Sequence, residues 1–193
     1  DHILEVGCTA GHISFILANM GYKVTAIDIS SKSIEIAKQT KIIKCIDNID
    51  FFASDAEDLS IFPDNHFDVA FSFSVLRYVP NPVMAIKEMR RVVKKGGVAV
   101  VDFPNKFCPW FKLLRRGMGL KEHIHDHLYS VNQVKKMFYD AGFSDVKAVT
   151  LLYVHKKMSN FIFNIAKPIG RVLEYIPFIN NTAAIIMCRG VKN

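Results

Sequence analysis

Short apolar runs and stretches of helical periodicity alternate along this chain. Residues 3 to 6, 24 to 28, 50 to 54, 67 to 73 and 98 to 103 read as strands, and 12 to 20, 31 to 40 and 82 to 94 as helices. Val98-Ala-Val-Val-Asp-Phe103 is continuously apolar apart from one acid and rich in β-branched residues, as a parallel strand covered on both faces requires. Asn81-Pro82 opens its helix with a side-chain cap and a proline at the first position, and Lys94-Lys95-Gly96 is expected to close it with cations and then glycine. Ser130-Val-Asn-Gln133 is a capping-box pattern, Ala141-Gly142 ends the helix it begins, and strands are expected over 146 to 154 and 183 to 188. The fold class is therefore α/β.

The first strand, Ile3-Leu-Glu-Val6, runs directly into Gly7-Cys-Thr-Ala-Gly11 and then a helix from His12. Gly7 can turn the chain sharply and Gly11 lets the helix pack close, so the helix N-terminus can face a carboxylate or phosphate. Seventeen residues after Gly11, Asp28 ends the second strand, where a carboxylate can accept both hydroxyls of a ribose. A dinucleotide fingerprint would place glycine at positions 7, 9 and 12. Here Thr9 and His12 occupy two of them, which argues against NAD and an oxidoreductase.

The chain resembles the class I S-adenosylmethionine-dependent methyltransferases throughout. Glu5-Val-Gly-Cys-Thr-Ala-Gly11 is similar to the family's first motif, Ile27-Asp28-Ile29-Ser30 to its ribose-binding strand end, and Ser54-Asp55-Ala56-Glu-Asp-Leu59 to its adenine-binding segment. Phe67 to Leu76 resembles the fourth strand and Lys95-Gly-Gly97 the turn before the fifth. The resemblance implies a Rossmann-like, doubly wound sheet of seven strands in the order 3-2-1-4-5-7-6, the last strand antiparallel and helices on both faces. It implies S-adenosyl-L-methionine as cofactor, held by Glu5, Gly7, Cys8, Thr9, Gly11, Asp28, Ile29, Asp55, Ala56 and Ser72, with Phe73 and Tyr78 toward the acceptor. Asp55 has a local capping role as its alternative, and Tyr78 simple packing. Thr9 stands where the family has its middle glycine. The cofactor has no phosphate to approach that point, so weaker binding is expected, not its loss.

The 193 residues, half of them hydrophobic, suit one compact domain. Cys8, Cys45, Cys108 and Cys188 form no C-x-x-C pair, which suggests neither a zinc site nor a disulfide framework and fits a reducing cytoplasm. Residues 161 to 179 are the longest apolar candidate for a membrane span, but Lys167, Pro168, Arg171, Glu174 and Pro177 interrupt them, short of the roughly 20 apolar residues needed. Asp1 sits two residues before a strand that belongs in mid-sheet, with no initiating methionine, so a fragment or trimmed domain is expected. Charge is uneven: residues 1 to 103 carry 11 Lys/Arg against 13 Asp/Glu, and residues 104 to 193 carry 14 against 5. The second half therefore suits an anionic acceptor or surface, the alternative being a solvated basic face.

Two segments exceed the minimal core: 105 to 129, read as a lid, and 155 to 182, read as a substrate-facing or membrane-facing insert. The insert repeats Phe161, Ile162, Ile165, Ile169, Val172, Leu173 and Ile176 at helical spacing, so it can cover a pocket or lie on an anionic bilayer as a peripheral contact. In Glu122-His-Ile-His-Asp-His127, the alternating His123, His125 and His127 are the candidate catalytic bases or substrate clamp, with loop capping as the alternative and a metal site disfavoured. Such a base is needed when the acceptor is a hydroxyl or protonated amine. Ser72-Phe-Ser74 does not resemble the Asn/Asp-Pro-Pro-Tyr signature of base-amine methylation, which disfavours nucleic acid. The reading is methyl transfer to a small or lipophilic acceptor, oxygen preferred, with a non-catalytic cofactor-binding domain as its rival.

Overall fold

A strand buried on both faces needs neighbours on both edges, and His2–Val6 (β1) meets that demand. In the computed structural model, which describes residues 1–108, 127–151 and 183–193, β1 pairs in parallel with Lys23–Asp28 (β2) on one side and Phe67–Ser72 (β4) on the other. Ile49–Ala53 (β3) extends the sheet beyond β2, and Val93–Pro104 (β5) beyond β4. Ser144–Leu151 (β6) forms the far edge, and Ile185–Val191 (β7) inserts antiparallel between β5 and β6. The order is β3-β2-β1-β4-β5-β7-β6, the topology that the resemblance implies.

Alternate residues of each strand feed two cores. His12–Asn19 (α1) and Ser31–Ile43 (α2) place Phe15, Ala18, Ile34 and Ala37 against Val24, Ala26, Ile49 and Phe51. Pro82–Val92 (α3) and Val131–Asp140 (α4) place Ile86, Met89, Val134 and Phe138 against Leu4, Val6, Ile27, Ala70, Ala99 and Val101. Asn81 caps α3 by accepting from the Met84 N–H at 3.1 Å with Pro82 in the first turn, and Ser130 and Gln133 form the expected capping box on α4. No helix among the described residues is long and apolar enough to cross a membrane.

Some boundaries differ from expectation. α3 ends at Val92, and Lys94-Lys95-Gly96 belongs to β5 instead of closing the helix. Val92 and Val93 are both fully buried, and Val93 takes extended geometry to pair with Phe67, so the chain leaves the helix before the lysines. The cation at the helix end comes from far along the chain. The Lys192 ammonium donates to the Arg91 and Val93 carbonyls at 2.9 and 2.8 Å, and burial lowers its pKa. α2 runs on to Ile43, β6 begins at Ser144, and β7 covers 185 to 191 instead of 183 to 188.

Asn105, with no exposed surface, ties together the roots of the two long segments. Its amide nitrogen donates to the Ala183 carbonyl at 2.8 Å, its side-chain oxygen accepts from the Phe107 N–H at 3.1 Å, and its backbone N–H donates to Ala184 at 2.9 Å. The backbone amides of Lys106 and Tyr129 reach the Tyr129 and Pro104 carbonyls at 2.8 and 2.9 Å. The described ends of the 105–129 segment and the residues that follow 182 thus meet at the end of β5.

Candidate functional site

Beyond Val6 the chain must turn at once, and Gly7 does so at φ +84°. A Cβ there would lie 2.3 Å from a methyl of Val75, so only glycine fits. The Gly7 and Cys8 amides donate to the Ile27 carbonyl at 2.8 and 2.9 Å, pinning the turn to the end of β2. Gly11, at φ +81°, opens α1, where a Cβ would meet the Phe51 ring at 2.8 Å. No side chain caps α1 and no acid lies in its first turn, so its N-terminal amides remain for an anionic group.

Thr9 adopts the left-handed conformation that glycine takes freely, φ +48°, at a cost of about 1 kcal/mol. Its amide donates to Asp28 Oδ2 at 2.8 Å, and the Ser30 amide donates to Asp28 Oδ1 at 2.9 Å. Each carboxylate oxygen is thereby oriented and keeps a further lone pair. Ile29 follows with 75% of its surface exposed, an apolar side chain left in water beside the carboxylate. The Ser54 amide donates to the Asp28 carbonyl at 3.1 Å and brings the next segment alongside.

In that segment Asp55 Oδ1 accepts from the Glu57 amide at 2.9 Å, which makes a local turn and leaves Oδ2 unengaged, while Ala56 is buried in the core. Glu88 and Arg91 of α3 hold the segment: the Leu59 amide donates to Glu88 Oε2, and Arg91 donates to the Leu59 and Phe62 carbonyls.

Glu5 is almost fully buried and accepts from the Ser14 hydroxyl. Burial raises its carboxyl to about 7, against the opposing pull of the Ser14 bonds. Cys8 is also buried, its thiol pushed up to about 12 by burial and by the neighbouring Glu5 and Asp28 carboxylates, so it offers backbone and a neutral thiol. The Ser72 hydroxyl is committed to the Val6 carbonyl at 2.8 Å, which bridges the ends of β4 and β1. Phe73 packs against Phe71 at 5.1 Å. Tyr78 is exposed, its hydroxyl accepting from Arg77 at 2.7 Å with the guanidinium over its ring.

His127 is described and exposed at the root of the 105–129 segment. His123, His125 and the 155–182 segment lie outside the described residues. The expectation of three histidines facing one way therefore rests on the sequence alone.

Sequence reasoning missed Asp102, which is 8% exposed at the end of β5 and accepts from the Ser74 amide. Burial raises its carboxyl pKa, opposed by the Ser74 bond and the Arg77 charge. A lone acid inside an otherwise apolar strand was the available signal. Ser14 was missed too, since a small polar residue on a helix carries no mark of the buried acid that it serves.

A cavity of about 450 Å³ lies elsewhere, floored by Phe52 and Phe62 and rimmed by His2, Lys23, Lys38 and His66. It opens at His2, Lys23 and His66, at the starts of β1, β2 and β4, and its lining does not include Gly7, Asp28 or Ser72. Ligands of open α/β sheets bind beyond the carboxyl ends of the strands, so the glycine turn, not this cavity, is the candidate site.

Residues 1–142 match a family described as a methyltransferase domain. The ubiquinone/menaquinone biosynthesis C-methyltransferase of Francisella philomiragia is 30% identical over 172 residues, covering 76% of this chain and 68% of that protein. The ubiquinone biosynthesis O-methyltransferase of Nitrosospira multiformis is 30% identical over 95 residues, 49% of this chain and 39% of that protein. The chain thus spans well under half the length of that O-methyltransferase. Among solved structures, a methyltransferase from Thermotoga maritima described as a possible histamine N-methyltransferase shares the fold over the whole chain, with a TM-score of 0.71 and 20% identity, covering 82% of that protein. On the family match, the long C-methyltransferase alignment and the shared strand order, the chain belongs to the class I methyltransferases that use S-adenosyl-L-methionine.

Proposed function

We propose that this chain is the catalytic domain of a methyltransferase that acts on a small or lipophilic acceptor, with oxygen as the acceptor atom. The observation that carries the reading is the Asp28 carboxylate, held by the Thr9 and Ser30 amides beside the uncapped start of α1. Both features fit the cofactor: two oriented oxygens suit a ribose diol, and open helix amides suit the carboxylate of its methionine part. Exposed Ile29 suits one face of the adenine ring, and the second oxygen of Asp55 suits its amino group. The Ser72 carbonyl, at the end of β4, is the acceptor for the methionine ammonium.

The bound cofactor supplies a methyl carbon already activated by its sulfonium. What the protein must add is alignment of the acceptor and exclusion of water. Phe73 and Tyr78 line the acceptor side, and the 105–129 and 155–182 segments, rooted together through Asn105 at the end of β5, supply the specificity. In this reading a histidine of the trio His123, His125 and His127 takes the proton from an acceptor hydroxyl onto a ring nitrogen. The quinone pathways named for the relatives are in keeping with a lipophilic aromatic acceptor. A carbon acceptor is the second reading, favoured by the longer alignment with the C-methyltransferase.

Calorimetric titration with S-adenosylmethionine and S-adenosylhomocysteine, with Asp28→Ala as control, tests the site. Saturable binding lost in the control is the expected result; equal binding by both proteins refutes the Asp28 assignment. Radiolabelled methyl donor with hydroxylated aromatics, with and without isoprenoid tails, then tests the acceptor. Label stable to ether cleavage would replace oxygen with carbon, and cofactor binding without transfer to any acceptor would favour the non-catalytic rival.

A further inference from the structure

The loop after β4 is pinned at three points. Behind it, the Ser72 hydroxyl donates to the Val6 carbonyl at 2.8 Å. In front, the methyls of Val75 sit where Gly7 could carry no Cβ, so the loop packs directly on the glycine turn. Between them Ser74 takes the left-handed conformation, φ +61°, which only glycine adopts without strain. The third pin is at Ser74 itself: its amide donates to Asp102 Oδ1, and its hydroxyl lies 3.4 Å from Oδ2.

Asp102 is an unusual residue to bury. Val101 and Phe103 point into the core under α3 and α4, so Asp102 projects to the opposite face, the face on which Glu5 meets Ser14 of α1. β4 separates the strands that carry the two acids, and Asp102 lies two residues beyond the position in register with Glu5, which puts their backbones about 12 Å apart. A carboxylate with almost no exposure is retained against its desolvation cost, and the Ser74 backbone is where its bonds go.

We propose that Asp102 is a positioning residue of the transfer site: by holding Ser74 in its left-handed turn it presses Val75 against Gly7 and sets the wall between cofactor and acceptor. The proposal rests on the methyltransferase reading for its function, while its geometry stands independently. Asp102 acts through Ser74, so relieving the strain at Ser74 must replace part of what Asp102 does.

The test compares the parent with Asp102→Ala, Asp102→Asn and the double variant Asp102→Ala/Ser74→Gly. S-adenosylhomocysteine affinity is read by calorimetry, melting temperature gives a check on folding, and amide exchange over residues 73–76 is read without ligand. Asp102→Ala is expected to weaken binding about 10-fold and to speed exchange at Ser74 and Val75, and Asp102→Asn, which keeps an acceptor oxygen, to weaken it about threefold or less. Ser74→Gly in the double variant should recover at least half of the lost affinity, because glycine holds φ above zero unaided. A double variant as weak as Asp102→Ala overturns the proposal, as does unchanged exchange at 73–76 in Asp102→Ala. If the parent binds no cofactor, the methyltransferase reading fails, and the exchange comparison alone still decides whether Asp102 holds the loop.

Discussion

The two halves of the sheet handle their polar groups differently. Around β1 and β2 the site is assembled from residues close in sequence: Gly7, Thr9, Gly11, Asp28 and Ser30 lie within one strand-helix-strand unit, and backbone amides do most of the work. Around β5 the polar contacts that join elements come from far away. Ser74 reaches Asp102 across 28 positions and Asn105 reaches Ala183 across 78. The glycine turn draws its own hydrogen bonds from within its unit, with the Asp102–Ser74 contact as a tie to it from β5, and under the proposed function such a cofactor site can serve many acceptors.

The contrast is broken most severely at Gly7. Alanine there places a Cβ 2.3 Å from Val75 at φ +84°, so Gly7→Ala should abolish measurable S-adenosylhomocysteine binding and lower the melting temperature by several degrees. Calorimetry and thermal denaturation would read both; retained binding would show that the turn and the loop after β4 are not in contact.

Next in size is the pH dependence carried by Glu5. The unfolded chain loses this proton near 4.5, while the folded protein holds it until about 7. Its contribution is therefore complete below pH 4.5 and is lost as pH rises through 7, on the order of 3 kcal/mol in all. Urea denaturation of the parent and Glu5→Gln at several pH values should show the variant gaining on the parent across that window. A difference independent of pH would place the titration elsewhere.

Asn105→Ala sharpens the contrast from the other side. It strips the partners from the Ala183 carbonyl and the Phe107 amide, at a cost of about 1–3 kcal/mol in unfolding free energy. Cofactor affinity should stay within twofold; a large loss would mean that Asn105, like Asp102, couples β5 to the glycine turn. Thr9→Gly should do least: relief of the left-handed strain is offset by the entropy of glycine in the unfolded chain, leaving stability within about 1 kcal/mol. Cofactor affinity should rise a few-fold by titration, and a fall would show that the threonine side chain is a contact.

The same division explains what could be read in advance. Gly7, Gly11 and Asp28 were legible because their chemistry is local, with spacing that marks a turn, a helix start and a strand end. The caps at Asn81 and Ser130 were legible for the same reason. The end of α3 was misjudged because Lys94-Lys95-Gly96 makes a plausible helix stop, whereas burial of Val93 against Phe67, a tertiary fact, decides the boundary. Asp102 and Asn105 escaped notice because their partners are fixed only when β4, β5 and β7 come together. The strand order came from family resemblance, since periodicity says nothing of which strands are neighbours.

One consequence follows for how the molecule comes to exist. β7 slots between β5 and β6 although it is made after both, and Lys192, just beyond it, closes the end of α3. On a ribosome, β5 and β6 would emerge with bare edges facing each other and wait for a strand still to be translated, each an invitation to pair with another chain. Chains that stop short of β7 should therefore tend to aggregate even with the whole glycine turn present.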